Sequence, residues 1–281
     1  MKKLFLTLIP TTALLISKAN FTAIPYYSYT KYSDDFKDEA NGIGLFSSIY
    51  NYPHKLDFEI DYTNIKFKNY SQKYEQTEMT AVYGYFLNSN LFLKTGLHFV
   101  ASDYKPSNEG LAAIITGAEY KNKSINYGLE LFYSNYAKYK PKALKVVQVH
   151  PFIKKHFQPK NKKIGNFDIK ADLNYIKANN SNLYQYINSS YSSIGLNLTH
   201  NINNFSTSIF GWMGKRAFAL EDGGFTLYNS NQEYNKAYGL KVKYKIKNAA
   251  FIELKYKRKK YKNYQKTGYS NGITTAFSYT W

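Results

Sequence analysis

The chain contains no cysteine. Disulfides, thiolate metal sites and a lipid anchor on an N-terminal cysteine are therefore excluded. Arginine is nearly missing too: of 38 basic residues, all but Arg216 and Arg258 are lysine. Arginine is the preferred side chain for bidentate phosphate contacts. The formal net charge of +19 is therefore a poor sign of nucleic acid, and no nucleic-acid partner is expected. After the N-terminus there is no apolar run long enough for a membrane helix, and no segment keeps a helical period. Histidine is also scarce. None of His54, His98, His150, His156 and His200 has a serine within two residues, so the simplest sign of a serine hydrolase is absent. His150 and His156 are six apart, which on a strand means one face but about 20 Å of separation, too far to share a metal. No catalytic residue, metal site or cofactor is expected.

What the chain has instead is 30 tyrosines and 19 phenylalanines, a composition that suits pleated surfaces. The stretch LKVKYKIK, residues 240–247, shows the pattern at its clearest. Leu240, Val242, Tyr244 and Ile246 fall on one face of a strand; Lys241, Lys243, Lys245 and Lys247 fall on the other. Mean hydropathy is −0.50. That value suits a soluble protein, and equally a lipid-embedded barrel whose polar lumen offsets an oily exterior. An AT-rich genome would favour Lys, Asn, Ile, Tyr and Phe together and is a second source of the lysine excess.

The first residues read as an export signal. Lys2 and Lys3 precede an apolar segment, Leu4 to Ile16, and Ser17-Lys18-Ala19 sets small residues at a cleavage site. A leader over 1–19 and one domain over 20–281 are expected.

Fourteen strand-like runs follow, at 21–32, 40–50, 55–70, 77–88, 91–104, 111–121, 124–139, 143–157, 167–180, 186–201, 205–220, 234–247, 250–264 and 268–281. Short asparagine-rich joints such as NSN at 88–90 and NINN at 201–204 tend to alternate with longer polar ones such as EDGGFTLYNSNQE at 221–233. Transmembrane barrels alternate turns and loops in this way. The joints at 158–166 and 140–142 break the rule. An even count also places both chain ends on one side. Pro25 and Pro151 sit awkwardly in strands, and twelve strands is the alternative if the first run is a tail and another run is wrongly split.

The chain ends in GYSNGITTAFSYTW. Tyr269, Ile273, Thr275, Phe277, Tyr279 and Trp281 share one face. This ending resembles the closing strand of Gram-negative outer-membrane β-barrel proteins, which usually end in an aromatic residue with apolar residues at every second position before it. Phenylalanine is commoner than Trp281 at the last place. The resemblance identifies a porin-like class and no particular family. It implies a bacterial outer-membrane location, surrounding outer-membrane lipid, and recognition of Phe277, Tyr279 and Trp281 by the barrel-assembly machinery. Backbone chemistry leads to the same fold. An unpaired backbone amide in hydrocarbon costs several kcal/mol, so a helix-free chain crosses only by closing its sheet. The expected fold is all-β: a transmembrane antiparallel up-and-down β-barrel of about fourteen strands.

In such a barrel Leu240 and its partners face lipid and the lysines face the lumen. The reverse would place four ammonium groups in the bilayer at roughly 2–4 kcal/mol each near the midplane. The next strand repeats the pattern, with Glu253, Lys255, Lys257 and Lys259 turned inward. Asp57, Glu59 and Asp61 form an acidic ladder four or five strands away across the closure. Walls of opposite charge suit a pore for small polar or anionic solutes. Two other functions are the alternatives: a surface or assembly barrel using loop 221–233, with Glu221, Asp222, Phe225 and Tyr228, and an outer-membrane lipid hydrolase. Fourteen-strand fatty-acid transporters carry an N-terminal plug. Here the first strand directly follows the expected cleavage site, so an open or loop-constricted lumen is expected.

Overall fold

The computed structural model describes residues 19–34, 36–68, 73–103, 111–136, 142–183, 187–228, 232–247, 249–263 and 266–281, with backbone alone for Lys162 and Asn263. The expected leader lies outside them except for Ala19. In chain order the strands are β1 (Asn20–Tyr32), β2 (Lys37–Asn51), β3 (His54–Phe67), β4 (Lys73–Phe86), β5 (Leu91–Ser102), β6 (Leu111–Asn122), β7 (Ile125–Tyr136), β8 (Leu144–Phe157), β9 (Asn166–Asn179), β10 (Ser190–Ile202), β11 (Phe205–Arg216), the two-residue β12 (Leu220–Glu221) and β13 (Thr226–Leu227), β14 (Glu233–Lys247), β15 (Ala250–Asn263) and β16 (Lys266–Thr280).

The fourteen long strands form one closed barrel, each antiparallel to its neighbours. β1 pairs with β16 to close it. At the seam Phe21 and Trp281 exchange two backbone hydrogen bonds of 3.0 Å, and their rings meet edge to face at 4.8 Å. The count is fourteen rather than twelve because β1 is a full barrel strand despite Pro25. Pro25 keeps its place opposite Leu45 of β2, while the ladder to β16 is interrupted between Ala23 and Tyr26. Pro151 does the same: it stays paired to Leu129, and the ladder to β9 skips from Val149 to Phe152. Each proline spends its missing N–H on one side of its strand.

Tight turns lie at the end that carries both termini. Asn203, at φ +51, begins the β10–β11 turn, and an Asn side chain tolerates that angle. The β8–β9 joint is the long exception, and a short 3-10 turn, Lys162–Ile164, occupies it. Part of the joint around 140–142 lies outside the described residues.

The outward faces are apolar. Leu56, Phe58, Ile60 and Tyr62 of β3, Leu240, Tyr244 and Ile246 of β14, and Ile252, Leu254 and Tyr256 of β15 are all exposed. Phe277, Tyr279 and Trp281 also face outward. The inward faces are not uniformly polar. On β6, Leu111, Ala113 and Ile115 are buried while Ile114 faces out; on β8, Leu144 and Val146 are buried while Val147 faces out. Strands apolar on both faces signal burial on both, and something must fill this side of the lumen.

Candidate functional site: a loop-constricted lumen

The filler is the β11–β14 connection. β11 ends at Arg216, four residues before the expected limit of 220. Its register shifts between Met213 and Arg216, and Gly214 occupies the bulge at φ +116. Only glycine takes that angle without strain, and a Cβ there would lie 2.4 Å from the Ser192 carbonyl oxygen. Past the bulge the chain turns inward, and Ala217, Phe218, Ala219 and Leu220 are at most 1% exposed. The segment expected at the outer surface, with Glu221, Asp222, Phe225 and Tyr228, thus belongs to a loop folded into the barrel. The reason is complementarity: an apolar stretch meets an apolar inner wall and leaves water.

Three kinds of contact hold the loop. Phe218 packs edge to face on Tyr136 at 5.2 Å, within a cluster that includes Val100, Leu144, Val146 and Ile176. Gln148 grips the backbone of Leu220 as a strand neighbour would, accepting from its N–H at 2.8 Å and donating to its carbonyl at 2.6 Å. At the tip Lys94 donates to the Gly223 carbonyl at 3.3 Å. Gly224 lies so close to Ile115 that a Cβ would fall 2.3 Å from its Cδ1.

The third contact belongs to a chain of alternating charge across the lumen. Lys94 meets Glu130 at 2.5 Å, Glu130 meets His150 at 2.8 Å, and His150 reaches Asp172 at 3.3 Å. Arg216 lies 3.6 Å from Asp172 and also binds Glu221, whose second oxygen accepts from Lys257 at 3.0 Å. Arg216 is further fixed by donating to Ser193 at 2.6 Å and by lying over the Trp212 ring at 4.3 Å. Glu221 sits on the loop rather than on a spanning strand. Burial opposes its ionisation, but Lys257 and Arg216 outweigh that and hold its carboxyl at about 2.

The expected lysine wall forms on β14 and β15, where Lys241 and Lys255 stand directly opposite. Much of its charge is answered. Lys243 lies 3.6 Å from Glu253, and Lys255 lies 3.9 Å from Asp222. Lys257 binds Glu221 and donates to Tyr228 at 2.9 Å. Lys259 lies over the rings of Tyr228 and Tyr234 at 4.9 and 5.2 Å. Lys241, Lys245 and Lys247 have no ion-pair partner among the described residues, and the last two are exposed near the tight-turn rim. On β3, Asp57 meets Lys55 at 2.7 Å and accepts from Ser48 at 2.6 Å. Glu59 accepts from Tyr26 at 2.5 Å, and Asp61 stands opposite Glu78 of β4. Between the two walls, beside the loop, remains a cavity of about 540 Å³ bordered by Glu59, Asp61, Lys255, Lys257, Phe46 and Phe225. A smaller one of about 160 Å³ lies on the loop's other side, against Lys241, Asp172 and Arg216.

Sequence reasoning missed Glu130, Asp172 and Arg216 as a unit. They lie far apart in the chain, and only register across the five strands β7 to β11 brings them together. It also missed one histidine contact. His98 of β5 takes Thr80 on Nδ1 at 2.7 Å and faces Glu78 from Nε2 at 3.2 Å. The order is that of nucleophile, base and acid. Thr80 and His98 are 2% and 0% exposed, so no substrate reaches the hydroxyl.

No protein-family model and no curated protein matches the chain. Solved structures do. The toluene transporter TbuX of Ralstonia pickettii matches with a TM-score of 0.59 and 8% identity, over 93% of this chain and 89% of that one. The toluene transporter TodX of Pseudomonas putida gives 0.56 and 9%, over 94% and 89%. A bacterial polysaccharide outer membrane secretin gives 0.53 and 8%, over 94% and 98%. This chain is a bacterial outer-membrane β-barrel. At such identities the likeness concerns the fold alone. The barrel's apolar exterior belongs in lipid, with the longer loops on the far side from the termini.

Proposed function

We propose that this barrel is a loop-constricted channel through which small polar solutes cross the outer membrane. The observation that carries this reading is the cavity of about 540 Å³ left beside the infolded loop, with carboxylates on one side and lysines on the other. Opposed walls set up a transverse field that orients a dipolar or zwitterionic solute. Lys241, Lys245 and Lys247, without carboxylate partners, add an anion bias below the loop. TbuX and TodX are toluene transporters. A toluene path favours an apolar lining, whereas this cavity is bordered by Glu59, Asp61 and Glu78, so the polar reading is preferred. An adhesin reading loses its main contact, because the longest loop turns inward.

In the same proposal residues 1–19 are a cleaved leader, 20–281 the barrel, and Phe277, Tyr279 and Trp281 the signal read by the barrel-assembly machinery. The test is a planar-bilayer recording in a salt gradient. The refolded barrel is expected to conduct and to reverse at an anion-selective potential that moves toward cation selectivity in Lys241→Glu. A barrel that conducts no ions and admits no small sugar in liposome swelling would end the channel reading.

A further inference from the structure

The outer surface at the loop end is electrically lopsided. On the face formed by β1–β3, lysines at this height are neutralised: Lys31 meets Asp38 at 2.6 Å and Lys66 meets Glu39 at 2.6 Å. On the face formed by β14 and β15 they are not. Lys236 and Lys260 stand directly opposite each other on adjacent strands, and Arg258 follows two residues along, opposite Tyr238. Like charges directly opposite on a sheet face destabilise it unless an anion lies between them. β14, β15 and β16 together contain two carboxylates, Glu233 and Glu253. Glu253 points inward, and Glu233 is held by Lys215 at 3.3 Å and Asn188 at 2.9 Å. Among the described residues Lys236, Arg258 and Lys260 therefore have no ion-pair partner. Arg258 rests on the Tyr269 ring at 4.8 Å, which leaves its guanidinium edge free to accept a ligand.

The patch also lies at a particular height on the barrel. Ile246, Tyr244, Leu240 and Tyr238 form the outward apolar column of β14, all exposed. From Ile246 to Lys236 is ten residues of tilted strand, roughly 25 Å, which is the thickness of a barrel's apolar band. The cations begin where the hydrocarbon ends, in the leaflet on the loop side. Tyr238 and Tyr269 stand among them, opposite Arg258 and Lys260 on the neighbouring strands, as an interfacial aromatic belt does.

We propose that this patch binds phosphate-bearing lipid headgroups of the outer leaflet, with Lys236, Arg258 and Lys260 contacting the phosphate oxygens. The proposal is independent of whether the lumen conducts. The test is native mass spectrometry of the folded barrel with bis-phosphorylated lipid A and with the same lipid stripped of phosphate. Wild type should retain the phosphorylated form and lose the stripped one. The K236Q/R258Q/K260Q variant should bind the phosphorylated form roughly 100-fold more weakly, about fivefold per cation removed. The K31Q/K66Q variant, altered on the face whose lysines are already paired, should bind as wild type. Folding of each is read from heat-modifiable gel migration; if the triple variant fails it, the two lipids on wild type decide alone. Equal retention of both lipids by wild type, or undiminished binding by the folded triple variant, would overturn the proposal.

Discussion

The two sides of the lumen follow different rules. From β5 to β9 near the loop end, the inner wall carries Val100, Leu111, Tyr136, Leu144, Val146 and Ile176, packed on Phe218 and its neighbours as in a protein core. From β14 round the closure to β4, the wall carries lysines and carboxylates and borders open space. The requirement for a polar lumen is thus a requirement of water. Where the loop displaces water, the wall becomes apolar; where water stays, it is charged. The infolded loop is the boundary, held on one side by packing and on the other by Lys255 and Lys257.

Removing that boundary should have the largest effect. Replacing 221–228 with a short Gly-Ser link takes away the tip that borders both cavities. Single-channel conductance is expected to rise several-fold, and larger sugars should enter in liposome swelling. Arg216→Gln should come next. It leaves buried Glu221 and Asp172 short of their shared cation, which costs about 3–5 kcal/mol when a buried pair is broken. The expected outcome is a lower melting temperature and a noisier current, since the loop is untethered on its charged side only. Acid should act most gently. The folded-state pKa of Glu221, about 2, lies below its ordinary 4.5. Its contribution is therefore fully present above about pH 4.5 and is lost as pH falls toward about 2. Current noise should grow across that window in wild type, and the growth attributable to this group should be missing in Glu221→Gln.

All fourteen barrel strands were legible in the sequence because lipid on one side and a different medium on the other impose strict period two. The LKVKYKIK strand and the acidic ladder of β3 face as that rule requires. The loop was legible as a length but not as a direction. The inward turn rests on Gly214 in a bulge, and a single glycine near a strand end has many other meanings. A signal was nevertheless present: Leu111, Ala113, Ile114 and Ile115 are apolar on both faces, which a wet lumen does not allow. The charge chain from Lys94 to Lys257 was beyond reach, because its members come from six strands and the loop, and register is fixed by pairing that no single segment displays.

The loop's position inside the barrel can be tested directly because the chain has no cysteine. Phe225, whose ring meets Phe46 at 5.4 Å across the larger cavity, is the residue to replace. Single-channel current of Phe225→Cys should drop in a discrete step when a small thiol-reactive cation is added, and the step should be absent in wild type. A current that stays unchanged while mass spectrometry shows the thiol fully modified would mean that the loop lies elsewhere.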